Sequence, residues 1–170
     1  MILQVGFIYF AVVTVFSALM VITRRNPVHC ALYMLAVFTH VAGLFVLLDA
    51  EFVAAVQVLV YAGAILVLFL FVIMLFHGDG VKEKKTFVPG WPVAAPVAIA
   101  IMGLFMSILM KSGFSGAQGK YTINAVQAVG NSQTIGMALY TDYLFPFEIA
   151  SIILLVAMVG AIVLAKKRVD

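Results

Sequence analysis

Five apolar runs, each long enough to cross a lipid bilayer as a helix, divide this chain of 170 residues: about 2–23, 27–48, 52–76, 91–110 and 146–165. An α-helix rises about 1.5 Å per residue, so roughly 20 apolar residues cover the hydrocarbon layer. A transmembrane β-barrel would show short alternating segments instead, and the sequence has none. A water-soluble core is excluded by the scarcity of polar cover. The chain is 65% hydrophobic and 10% charged with a mean hydropathy of +1.20, whereas a soluble domain is about half apolar. The expected fold is all-α: an integral membrane bundle of five transmembrane helices forming a single membrane domain over 1–170. It has one long connection, 111–145.

Several span boundaries carry their own chemistry. Asn26-Pro27 reads as an N-cap followed by proline at the first helical position, where its missing N–H costs nothing. Phe145-Pro146-Phe147-Glu148 repeats the device, placing Pro146 first and an acid in the opening turn, where the helix dipole favours negative charge. Trp91, between Pro89-Gly90 and Pro92, suits an interfacial anchor. Within the long connection, the later part, TIGMALYTDYLFPFE, is apolar enough for a short surface helix leading into the fifth span.

Charge sets the expected orientation. Eight of the ten Lys and Arg residues fall between spans one and two (Arg24, Arg25), between three and four (Lys82, Lys84, Lys85) and after span five (Lys166, Lys167, Arg168). Five crossings put these clusters on one side, leaving Lys111, Lys120, Asp49, Glu51 and Asp142 on the other. The positive-inside rule then places the N-terminus outside and the C-terminus in the cytoplasm. The first span has its positive charges after the apolar stretch rather than before it, the pattern of a retained N-out helix rather than a cleaved signal. The basic balance is thereby accounted for, and nucleic acid is not implied.

Little in the chain speaks for chemistry at a bound group. No nucleotide, haem or zinc motif is present. Cys30 is the single cysteine, excluding an internal disulfide and a cysteine cluster within one chain. His29, His40 and His77 lie on different segments, and only His40 is deep, where bonding to a neighbouring helix competes with a proton-relay role. Glu51 flanks the outer end of span three and Glu148 lies near the same side of span five. Capping or facing water is the ordinary role of such acids. No carboxylate lies at mid-depth, so a proton path would borrow groups from partners.

The third span is the exception. In VLVYAGAILVLFLFVIM, a tyrosine sits beside three small residues, Ala62, Gly63 and Ala64. At α-helical spacing Gln57 and Tyr61 share one face above an apolar stripe. Small residues and buried polar groups commonly serve as interhelical packing, with hydrogen bonds worth about 1 kcal/mol. Gly63, however, costs a helix roughly 1 kcal/mol relative to alanine. A π-bulge near Tyr61–Gly63 would use that weakness, since such bulges favour functional sites. Rotation about it would move Leu66–Phe71 against neighbouring helices.

The runs FVAAVQVLVYAGAILVLFLFVIM, LYTDYLFPFEIASIILLVAMVGAIVLA and TRRNPVHCALYM resemble the J-type membrane subunit of bacterial NADH:quinone oxidoreductase, respiratory complex I, whose mitochondrial counterpart is numbered six. The resemblance covers most of the chain outside 77–90 and the first part of 111–145. It implies a five-helix, non-redox subunit of the membrane arm in a bacterial inner membrane, without a catalytic centre of its own. The implied partners are the junctional quinone-site subunit and a small antiporter-like neighbour. NADH, FMN, iron–sulfur clusters and quinone would be held by other subunits. It also implies a π-bulge at Tyr61, Ala62 and Gly63 that forms and relaxes between states, coupling quinone reduction to proton translocation. Some members carry glutamate where this chain has Gln57, a neutral amide that cannot exchange a proton. The alternatives are a subunit of a multi-subunit sodium/proton antiporter and a purely structural spacer of the membrane arm.

Overall fold

The computed structural model describes residues 1–76, 91–111 and 119–166. Among these the chain is helical, without strands. It contains five helices long and apolar enough to cross a membrane. The chain divides into two compact units, 1–118 and 119–170. Expectations resting on His77, Lys82, Lys84, Lys85, Lys167, Arg168 and the side chain of Trp91 lie outside the described residues.

In the first unit, α1 (Ile2–Thr23) and α2 (Pro27–Leu47) form an antiparallel hairpin. The Asn26 side chain accepts from the Val28 N–H at 2.9 Å, and Pro27 opens α2. Three further contacts fasten the hairpin bend. The Cys30 thiol donates to the Arg24 carbonyl at 3.3 Å, the Arg24 guanidinium lies 5.6 Å from the Tyr33 ring centre, and Arg24 Nη2 is 3.5 Å from the Tyr33 hydroxyl. Toward the far end, Gly43 admits the ring of Phe10, which a Cβ there would overlap.

After α2 the chain turns through Asp49, a non-glycine residue at φ 56°. Aspartate tolerates this left-handed conformation better than most side chains. The Ala50 N–H closes the turn on the Phe45 carbonyl at 2.9 Å. The third span follows as α3 (Glu51–Val56), a π-helical segment Gln57–Ile65, and α4 (Leu66–Phe76). The fourth span is α5 (Trp91–Lys111), with every described side chain exposed.

What is buried in this unit is mostly small: Ala31, Ala42, Ala54, Ala62 and Ser17, joined by Gln57 and Leu66. Long apolar side chains stay on the outside. This is how membrane helices pack, because lipid is as apolar as leucine and close backbone approach supplies the attraction.

The second unit departs from the sequence reading in two ways. The connection holds two helices, α6 (Ile123–Val129), capped by the Thr122 hydroxyl on the Ala125 N–H at 3.3 Å, and α7 (Asn131–Tyr140). Gly130 separates them at φ 97°, a conformation glycine adopts without steric penalty. In addition, α8 begins at Leu144, so Pro146 is its third residue rather than its first, and Glu148 stands beyond the first turn. The first four amides of a helix lack internal partners, so proline fits at the third position as well as at the first. Phe147 packs on Tyr140 of α7 with ring centres 5.2 Å apart.

Candidate functional site

The π-helical segment is the irregular feature of the third span. It is wider than the single turn expected from the sequence: nine residues, starting at Gln57 and containing Tyr61, Ala62 and Gly63. At its end the Leu66 N–H bonds to the Tyr61 carbonyl, five residues back instead of four. Gly63 sits over the carbonyl five residues before it. A Cβ there would lie 3.3 Å from the Val58 oxygen, tighter than ordinary contact. Glycine is therefore the residue that lets this turn widen without pressing on its own backbone.

Widening the turn changes which residues share a face, and this corrects the α-helical reading. Along the third span the buried residues are Ala54, Gln57, Ala62 and Leu66. Their spacing is three, then five, then four. The five-residue step falls inside the π segment, where one turn takes more residues than in an α-helix. Ala62, at 8% exposure, therefore lies on the buried face with Gln57, at 9%. Tyr61, which an α-helix would place there, is 46% exposed and packs edge-on against Phe38 of α2 with ring centres 5.8 Å apart. Nothing in the sequence singles out Phe38 beyond its aromatic character. The burial of Ala62 is legible once five-residue spacing is allowed.

The other candidates lie outside this segment. His40 faces α1, with its ring 5.8 Å from those of both Tyr9 and Phe10. Its hydrogen bond runs to the Ala36 carbonyl of its own helix at 2.7 Å, not to a neighbouring helix as the sequence suggested. A histidine can share the carbonyl four residues before it between its own backbone N–H and one ring nitrogen, and its contacts with α1 are those between rings. Glu51 is exposed in the first turn of α3. Glu148 is exposed on α8 in the second unit, where its carbonyl accepts from the Ser151 hydroxyl at 2.7 Å. Among the described residues, no three His, Cys, Asp or Glu side chains come together in a way that would hold a metal ion.

A polar clasp closes the second unit outside its span. The Tyr121 hydroxyl donates to Asp142 Oδ2 at 2.6 Å, and Lys120 Nζ reaches the same oxygen at 3.1 Å. The two donors hold the Asp142 carboxyl below its ordinary value, the tyrosine hydrogen bond contributing most. The same contacts push Lys120 and Tyr121 up, in each case chiefly through the hydrogen bond to Asp142.

The π segment, His40, Glu51 and Glu148 all fall within residues 17–164. That stretch matches the family model described as NADH-ubiquinone/plastoquinone oxidoreductase chain 6. The chain belongs to this family. It is 41% identical over 164 residues to NADH-quinone oxidoreductase subunit J of Rhodobacter capsulatus, covering 96% of this chain and 81% of that protein. Likeness extends to NAD(P)H-quinone oxidoreductase chain 6 of Leptolyngbya boryana, 41% identical over 96% of this chain and 80% of the relative. NADH-ubiquinone oxidoreductase chain 6 of Marchantia polymorpha is 37% identical, over 95% and 86%. As a chain 6 protein with five spanning helices, it is a multi-pass membrane subunit of an NADH-quinone oxidoreductase, complex I. In this chain 6 protein the contacts of α1 around Tyr9, Phe10 and Thr14 lie before the matched stretch.

Proposed function

We propose that this chain is the non-redox membrane-arm subunit that couples quinone reduction to proton translocation, and that the third span is the moving part. The observation that carries this is the nine-residue π segment at Gln57–Ile65, with its five-residue step in burial. Resetting the backbone bonds from five residues back to four shifts the register by one residue. One residue of α-helix is about 100° of turn and about 1.5 Å of rise.

Two consequences follow for named side chains. Leu66, now 3% exposed against the rest of the unit, turns away with the rest of α4. Tyr61 replaces Ala62 on the Gln57 face, bringing a phenol into line with the amide. The two windings thus differ in whether two polar groups at mid-depth are joined or separated, which is what making or breaking a hydrated connection requires. Gln57 cannot itself take up a proton. Glu51, exposed at the end of the span, and Glu148, on α8, can exchange protons only near the membrane surface. The path therefore uses carboxylates of neighbouring subunits, with water between helices.

A redox event can bias such an element only through different contacts with its two states. The junctional quinone-site subunit and the small antiporter-like neighbour are the partners this reading requires against the third span, while NADH, FMN, iron–sulfur clusters and quinone are bound elsewhere in the complex. The excess of Lys and Arg at one set of span ends orients the N-terminus outward and the C-terminus to the cytoplasm of a bacterial inner membrane. The test is Gly63→Val in the assembled complex. Slowed or uncoupled pumping at normal abundance is expected, and normal pumping refutes the reading.

A further inference from the structure

The seam between α1 and α2 holds polar groups that the switching span does not use. Gly6 lies against Leu47, and Gly43 admits the ring of Phe10, which also meets His40, so the two helices run antiparallel in a defined register. Thr14 is one turn beyond Phe10 on the same face of α1, and the buried Ser17 follows it. The register carries Thr14 to the level of Ala36–His40, about halfway along α1.

Thr14 behaves unlike the other described threonines. Thr23, Thr39, Thr134 and Thr141 each turn the hydroxyl back onto the carbonyl four residues earlier, at 2.7–2.8 Å, and Thr122 caps a helix. The Phe10 carbonyl stands in the corresponding place for Thr14, yet its Oγ1 is buried and has no partner among the described residues. A buried hydroxyl left unpaired forfeits the hydrogen bonds it makes in water, so this orientation needs a compensating bond. His40 can supply the other end of one. A carbonyl only accepts, so the bond to Ala36 places a proton on Nδ1, and in the neutral ring Nε2 is then the acceptor.

We propose that the α1–α2 seam binds a single water bridging the Thr14 hydroxyl and His40 Nε2, a polar site inside the membrane separate from the π segment. Water is the ligand that fits. It can accept from or donate to the hydroxyl, must donate to Nε2, and is small enough to lie beside the aromatic pair Tyr9 and Phe10. The inference stands independently of the coupling role, because it rests only on α1 and α2.

High-resolution electron cryomicroscopy of the intact complex tests it directly. A water peak within hydrogen-bond distance of both Thr14 Oγ1 and His40 Nε2 is expected, retained in Thr14→Ser and lost in Thr14→Val. The proposal is overturned by a dry seam with Thr14 turned onto the Phe10 carbonyl, or by a partner's side chain between the two groups. Persistence of the peak in Thr14→Val overturns it as well. Should Thr14→Val fail to assemble, the Thr14→Ser and unmodified complexes still decide the matter by the presence or absence of the peak.

Discussion

Replacing Gly63 with alanine isolates the energetics of the wide turn, because it adds one carbon and nothing else. In the π winding that carbon would lie 3.3 Å from the Val58 carbonyl oxygen. Relieving the contact takes a few tenths of an ångström, which the backbone supplies by bending bond angles. A deviation near 7° costs about 1 kcal/mol. The α winding has no such clash, since alanine is the best helix former. Gly63→Ala should therefore tilt the balance toward the α winding by about 1 kcal/mol, a change of about five-fold in relative population. Valine, larger and branched at the same carbon, should tilt it further. The assay is NADH oxidation with proton uptake in inverted membrane vesicles containing the assembled complex at matched abundance. Turnover or protons moved per NADH should fall in the order glycine, alanine, valine. Wild-type values for both variants would refute the reasoning, as would an alanine variant worse than the valine one.

Other perturbations probe the frame around this element. Gly43→Ala should weaken the α1–α2 hairpin by about 1–3 kcal/mol through overpacking against Phe10, and Phe10→Leu in the same chain should recover part of the loss, read as complex abundance after mild heating. Asn26→Ala should cost about 1 kcal/mol by removing the cap on Val28, visible as a lowered melting temperature. Asp142→Asn should open the clasp and speed limited proteolysis within 119–143 at neutral pH. The pH dependence has a definite sign. Asp142 is lowered in the folded chain, so its contribution is full above the ordinary 3.8 and fades as pH falls through the folded value. Lys120 and Tyr121 are raised, so theirs are full below 10.5 and 10.0 and fade as pH rises through the folded values. Protection from proteolysis should accordingly be flat between about pH 4 and 10 and decline outside it.

The parts of this fold legible in the sequence are those set by local chemistry. Five spans follow from run length against bilayer thickness, and the start of α2 from Asn26-Pro27, because a cap and a fixed proline φ need no tertiary partner. The weak point in the third span was visible in Gly63 and its small neighbours, but its extent was not. Whether a glycine yields one wide turn or two depends on what packs outside it. Assigning Gln57 and Tyr61 to one face assumed 3.6 residues per turn, and the observed winding breaks that assumption. The start of α8 was displaced by two residues because proline is accommodated anywhere in the first turn. Helix α7 was foreshadowed by the apolar stretch TIGMALY, whereas α6 was hidden in the polar part of the connection, where its signals, Thr122 and Gly130, are single residues. The pairing of Tyr61 with Phe38 and of His40 with Tyr9 and Phe10 depends on helix register, which one sequence does not encode locally.

The most direct measurement compares the backbone of residues 57–66 in the complex at rest and during NADH-driven turnover, by high-resolution electron cryomicroscopy of both samples. The account predicts two populations: one with the Leu66 N–H on the Tyr61 carbonyl and Ala62 beside Gln57, the other with four-residue bonding and Tyr61 in that place. A third span wound identically in both samples, with Tyr61 against Phe38 throughout, would contradict it.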